Sequence, residues 1–166
     1  GHTGGLYIPG LTGSISRYSG PFRIGQGGGF LREGEVCLYY SLVEKGMIRL
    51  YYIKGGRDLT EHFVYENGLF VSLESFFRQT PSRLIIEALE PTVIYSMPYD
   101  KLHSLMKENH EIEHFYGKLL ENSLIESQQK ADVCRFETAR ERYHRLANEH
   151  PETIKRAPLV HIASRL

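Results

Sequence analysis

Apolar and polar residues alternate in short runs from Phe30 to Met97, after which the period lengthens to three and four. Val36–Val43, Met47–Ile53 and Leu59–Tyr65 keep a period near two and are rich in aromatic and β-branched residues, which predicts strands. Glu44-Lys-Gly46 and Lys54-Gly-Gly-Arg-Asp58 separate them, and their glycines suit tight hairpins. Leu84–Leu89 and Thr92–Ser96 predict two more strands around Pro91, and Leu73-Glu-Ser-Phe-Phe77 a brief helix. Pro98 then opens a helix at its favoured first-turn position, running through Leu102, Leu105 and Met106.

From Glu111 the residues Ile112, Phe115, Tyr116, Leu119, Leu120, Leu124 and Ile125 recur at spacings of three and four, which places them on one broad helical stripe. No proline interrupts the segment through Ala131, so the helix spans more than about 20 residues, or roughly 30 Å. Thr138-Ala-Arg-Glu141 is a capping box that starts a fresh helix carrying Tyr143 and Leu146 and ending before Pro151. A last apolar-periodic segment, Leu159–Leu166, carries Val160, Ile162, Ala163 and Leu166.

Composition adjusts this picture in three places. Ten of the sixteen glycines fall within residues 1–29. That density argues against stable helix or strand there and predicts a flexible or tag-derived lead-in over 1–26. Gly25-Gln-Gly-Gly-Gly29 lacks the Lys-Ser/Thr of a phosphate-binding loop. Formal net charge is zero, so no whole-chain basic footprint points to nucleic acid, although Arg135 onward holds seven Lys/Arg against four Glu. Cys37 and Cys134, the only cysteines, are too few for an iron–sulfur or structural zinc site and fit a reducing cytoplasm. No apolar run reaches the length of a membrane span.

The segments Leu31-Arg-Glu-Gly-Glu-Val36, Val43-Glu-Lys-Gly-Met-Ile-Arg-Leu-Tyr-Tyr52, Gly68-Leu-Phe70, Pro81-Ser82 with Ile86-Glu-Ala-Leu-Glu90, and Thr138-Ala-Arg-Glu-Arg-Tyr143 occur in a telling order and spacing. Together they resemble the Crp/Fnr family of bacterial transcription regulators, in the version with a degenerate cyclic-nucleotide-binding domain. The resemblance covers roughly residues 27–166. It implies an α+β chain: a double-stranded β-helix, the jelly-roll-like cyclic-nucleotide-binding fold, over 27–109, a long dimerisation helix over 110–135, and the incomplete start of a winged helix-turn-helix over 136–166. It also implies a homodimer, DNA as the partner of the intact protein, and no enzymatic activity. Ala157–Leu166 is similar to the first helix of the helix-turn-helix, and the recognition helix expected next lies outside this sequence, so this chain alone is not expected to read DNA specifically.

In nucleotide-binding members of that family a cassette runs from Gly-x-Phe through Gly-Glu to Arg-Ser/Thr-Ala. Backbone N–H groups and an arginine hold the cyclic phosphate, and a glutamate accepts the ribose hydroxyl. The resemblance carries Gly68 and Phe70 into this cassette unchanged. Ser72 replaces the second glycine, Leu73 the ribose glutamate, and Glu74 falls one place late, about 100° round the helix. Arg83 occupies the phosphate-arginine position, but Leu84-Ile85 replaces the small polar pair. The expectation is a pocket that does not recognise cyclic AMP, leaving another small anionic effector or an empty cavity. Along the pairing helix the stripe Ile112, Tyr116, Leu119, Leu120 and Leu124 is expected to divide between the roll and a second copy.

Two other chemistries compete. His110-Glu-Ile-Glu-His114 matches His-Glu-x-x-His, in which two histidines on one helical face bind Zn²⁺ and Glu111 polarises a water, the basis of a zinc-peptidase reading. A third histidine is missing where Leu120 stands, although Glu137 could act as a remote ligand, and no metal site is expected. A cupin centre needs several strand histidines, and only His62 lies among the strands. A stand-alone effector-binding roll acting through protein partners is the remaining alternative to a transcription regulator.

Overall fold

The computed structural model describes residues 19–166. Eight strands come first: β1 (Pro21–Ile24), β2 (Gly29–Leu31), β3 (Tyr39–Lys45), β4 (Met47–Lys54), β5 (Arg57–Tyr65), β6 (Leu69–Phe70), β7 (Ile85–Ala88) and β8 (Thr92–Pro98). The short helix α1 (Leu73–Arg78) lies between β6 and β7. They form two antiparallel four-stranded sheets, ordered β1-β8-β3-β6 and β2-β7-β4-β5. The two sheets close on one core, the double-stranded roll that was expected. Ile24, Leu42, Ile48, Leu50, Val64, Phe70, Phe76, Ile86, Ile94 and Met97 fill it.

Turn chemistry fixes this closure. Gly46 joins β3 to β4 at φ 107°, and a Cβ there would lie 2.3 Å from Thr92 Oγ1. Only glycine fits. The glycine-rich start behaves differently from its composition. Pro21–Ile24 pairs in register with Thr92–Tyr95, and Gly27 and Gly28 exchange backbone hydrogen bonds with Ala88. The lead-in expected over 1–26 therefore fails at residues 21–26, where the glycines form a tight corner between β1 and β2. Its first part, residues 1–18, lies outside the described residues. The strand expected at Val36 starts at Tyr39 instead, since Val36 makes only an isolated bridge to Pro81 and the Cys37 N–H is taken by Ser75 Oγ.

Helix α2 (Tyr99–Glu108) follows, with Pro98 as its N-cap. Helix α3 (His110–Phe136) has 27 residues and starts at Asn109, whose side chain accepts from the N–H groups of Glu111 and Ile112. At 1.5 Å per residue it is about 40 Å long. Thr138 and Glu141 form the expected capping box at the head of α4 (Ala139–Glu149), and α5 (Pro151–Arg156) and α6 (Leu159–Arg165) complete the described chain.

These last helices do not hang free. Leu146, Ala157 and Ile162 form a second core with Met47, Phe63 and Tyr65, on the outer face of the β4–β5 hairpin. Arg156 bridges Glu66 and Glu90. Against the upward push of burial, Arg156 and the Gly46 N–H bring the Glu66 carboxyl down to about 2. Arg49, only 1% exposed, donates to Asp58, Glu87 and Thr60, lies against the His161 ring, and stacks on Tyr51. His161 accepts from Arg49, so burial and that guanidinium both lower its pKa.

Candidate functional site

The interior face of the roll and one side of α3 enclose a cavity of about 250 Å³. Leu50, Val64, Leu69, Phe70, Val71, Leu73 and Leu84 give it apolar walls, and Tyr40, Tyr52, Glu61, His62, Ser123, Glu126, Ser127 and Lys130 its polar positions. The ionisable acid and base side chains therefore come from β5 and the middle of α3, and the tyrosines from β3 and β4.

Glu61 organises them. The β4–β5 ladder pairs Leu50 with His62 and Tyr51 with Thr60, so Glu61 is the extra residue of a β-bulge. A bulged residue leaves the ladder and can re-aim its polar groups. Here the Glu61 carbonyl accepts from Lys130 Nζ at 3.1 Å and from Arg165 of α6. Its carboxylate pairs with Lys130 as well. One residue thus ties the cavity, the long helix and the last helix together, and Thr60 beside it exchanges hydrogen bonds with Ser164. Burial lowers the Lys130 pKa against the opposing pull of Glu61. Burial, reinforced by the charges of Lys130 and Arg165, holds His62 well below the usual imidazole range. Burial, followed by nearby charge including Glu126, pushes the Tyr40 phenol upward.

The sequence-expected ligand residues divide by polarity. Phe70, Leu73 and Leu84 line the cavity. Gly68 is buried in the turn after β5, where a Cβ would lie 2.5 Å from Val64 Cγ1. Ser72 and Ser82 share a buried hydrogen bond, and Ser82 in turn caps Leu84, so neither hydroxyl is presented as a cradle. Glu74 is exposed and lies 3.9 Å from Arg78. Arg83 is exposed and outside the lining. The apolar half of the expected set is assembled at the cavity, and its polar half (Ser72, Glu74, Arg83) is not. Sequence reasoning missed Glu61, Glu126 and Lys130 altogether and treated His62 as an ordinary strand residue. The one local signal for Glu61, a break in alternation on β5, is a single residue deep.

The stripe of α3 also divides. Tyr116 and Leu119 are buried in the core of their own roll, with Ile112 packed against it, and are not available to a second copy. Leu120 (37% exposed), Leu124 (64%) and Ile125 (54%) face outward. At the head of α3, His110 pairs with Glu113 in solvent, and no three His, Cys, Asp or Glu among the described residues are placed to hold a metal ion. Glu137 caps the opposite end of the helix, about 40 Å away. The zinc-peptidase reading has no site to stand on among those residues. No described helix is long and apolar enough to cross a membrane.

Residues 24–109 match the family described as "Cyclic nucleotide-binding domain". No curated protein gives a significant match by sequence. Among solved structures the chain is similar to the Catabolite Activator Protein of Thermus thermophilus, with 20% identity and a TM-score of 0.65 over 95% of this chain and 78% of that one. A transcriptional regulator of the crp/fnr family from Eubacterium rectale gives 16% identity and a TM-score of 0.74 over 96% and 80%. The c-di-GMP responsive global regulator CLP of Xanthomonas campestris gives 16% and 0.66 over 86% and 72%.

Proposed function

Because the chain belongs to the cyclic nucleotide-binding domain family and has the fold of Crp/Fnr-type transcription regulators, we propose that it is the sensing and pairing part of a cytoplasmic, effector-responsive DNA-binding regulator. The cavity takes the effector, α3 pairs with its copy through Leu120, Leu124 and Ile125, and DNA is read by a region following α6. The observation carrying this reading is the Glu61 bulge, where cavity, pairing helix and α6 meet on adjacent backbone and side-chain atoms. An effector that prefers one arrangement of Glu61 and Lys130 biases the placement of α6 by its differential affinity for the two arrangements. No feature of the described roll favours the stand-alone alternative over this one.

Pairing tests the reading directly. Light scattering at micromolar concentration gives a dimer mass for the wild-type chain. Leu124→Glu, at an outward position of α3, gives a monomer whose roll keeps its fold by circular dichroism, since Leu124 belongs to neither core. A wild-type monomer overturns the proposal.

A further inference from the structure

Resting on the effector-responsive reading above, we infer that the cavity recognises a small neutral molecule and discriminates against both anions and cations. The ligand is an apolar ring system bearing a hydroxyl or carbonyl oxygen that accepts from Tyr40. Tyr40 is 8% exposed, lines the cavity, and is held edge-on to Phe76 at 5.9 Å. Its hydroxyl makes no hydrogen bond to any described residue. A buried hydroxyl without a partner is costly, and a ligand oxygen that accepts from it recovers that cost on binding. Burial, followed by the nearby Tyr116 and Glu126, pushes this phenol upward, so it stays protonated and donates at neutral pH. Tyr116 also has an unpaired hydroxyl, but that one is sealed in the core and lines no part of the cavity.

The charges around the cavity leave none to spare for a ligand. Glu61 and Lys130 of the lining pair with each other, and Lys130 also donates to the Glu61 carbonyl. Arg165 donates to that same carbonyl, so two cations, Lys130 and Arg165, stand against two carboxylates, Glu61 and Glu126. His62 adds no charge near neutral pH, because burial and the charges of Lys130 and Arg165 favour its neutral ring. An anion settles only by drawing Lys130 from Glu61, and a cation only by drawing Glu61 from Lys130. Either leaves an uncompensated charge beside apolar walls. Glu126 and Arg83 are both exposed, and water and salt weaken them alike as counter-charges.

A neutral body meets none of these costs. Leu50, Val64, Phe70 and Leu84 offer it apolar walls. The volume, about 250 Å³, lies just below the range of roughly 300–1,000 Å³ common for drug-sized ligands, so the body is one ring system rather than a nucleotide.

Four probes share one ring: tryptophol carries a hydroxyl, 3-ethylindole no oxygen, tryptamine an ammonium and indole-3-acetate a carboxylate. Each is titrated calorimetrically into the chain at about pH 7.5, where the amine is charged and the acid ionised. Tryptophol binds more tightly than either charged probe, by about fivefold or more. Tyr40→Phe, which keeps the ring against Phe76, weakens tryptophol about fivefold and leaves 3-ethylindole unchanged. The unchanged 3-ethylindole affinity reports an intact cavity and assigns the loss to the hydroxyl. Tighter or equal binding by a charged probe, no binding by any at millimolar concentration, a tryptophol affinity untouched by Tyr40→Phe, or a loss shared equally by 3-ethylindole each overturns the inference. Light scattering on the same samples reports the dimer independently, so a failed ligand class and a failed regulator reading are told apart.

Discussion

Ile162 is the buried residue of α6, and the cost of removing its side chain can be worked out. Ile162 is 2% exposed and packs with Met47, Phe63, Leu146 and Ala157 in the second core. Ile162→Ala loses about 0.8 kcal/mol for each methylene-sized group, roughly 2.4 kcal/mol in all, and a cavity contribution brings the total to about 3 kcal/mol. Met47 and Phe63, which would have to close the void, are anchored in the β4–β5 hairpin, so relaxation recovers little. A helix of seven residues has almost no stability of its own and depends on this packing. The loss therefore appears as local undocking of α6, not as unfolding of the roll, whose core is a separate cluster. Native-state amide exchange measures this directly. Protection of the N–H groups of Ile162 and Leu166 falls about a hundredfold, as roughly 3 kcal/mol requires, while that of Ile48 and Ile86 holds. Unchanged protection in α6 refutes the docking argument, and an equal loss in Ile48 and Ile86 refutes the separation of the two cores.

Two further outcomes follow from the turns and ion pairs. Gly46→Ala places a Cβ against Thr92 at a left-handed φ. It should cost about 3 kcal/mol and lower the thermal midpoint by roughly 8 °C, as read by calorimetry; a shift below about 2 °C contradicts the steric argument. The Glu66 carboxyl, at about 2 when folded, titrates below its ordinary value of 4.5. A depressed carboxylate contributes stability that is complete above the unfolded value and is lost as pH falls through the folded one. The stability gap between wild type and Glu66→Gln, measured by urea unfolding, should therefore shrink from about pH 6 to about pH 3. A constant gap would show that Arg156 does not hold Glu66 as an ion.

Much of this architecture was legible because its signals are local. Glycine turns at Gly46 and Gly55-Gly56 bounded β3, β4 and β5 to within a few residues, and the Thr138–Glu141 capping box marked the head of α4 to the residue. Composition misled where glycine shapes the backbone. Gly27 and Gly28 turn the chain between β1 and β2, and a count cannot distinguish a corner from a tether. The cavity was half visible. Phe70, Leu73 and Leu84 follow from the apolar cassette, but Lys130 meets Glu61 across 69 positions, a pairing that no periodicity encodes. Arg49 left a faint trace as the single charge in Met47-Ile-Arg-Leu50, yet its partners Asp58, Glu87 and His161 are remote. The α3 stripe gave the apolar face correctly. Only packing shows that Tyr116 and Leu119 are spent on the roll and Leu124 is not.

The supernumerary residue in β5 also reverses parity along the strand. Thr60, His62 and Val64 are all even-numbered and in an unbroken strand would point the same way. Instead His62 and Val64 look inward, while Thr60 reaches out to Arg49 and Ser164. Substituting Glu61 and excising it are therefore different operations: the first alters one side chain, whereas the second makes Thr60 and His62 neighbours in a continuous ladder, still on opposite faces, and removes the carbonyl that accepts from Lys130 and Arg165. Any chimera that borrows this hairpin keeps its tie to α3 and α6 only if it keeps the odd residue in the count.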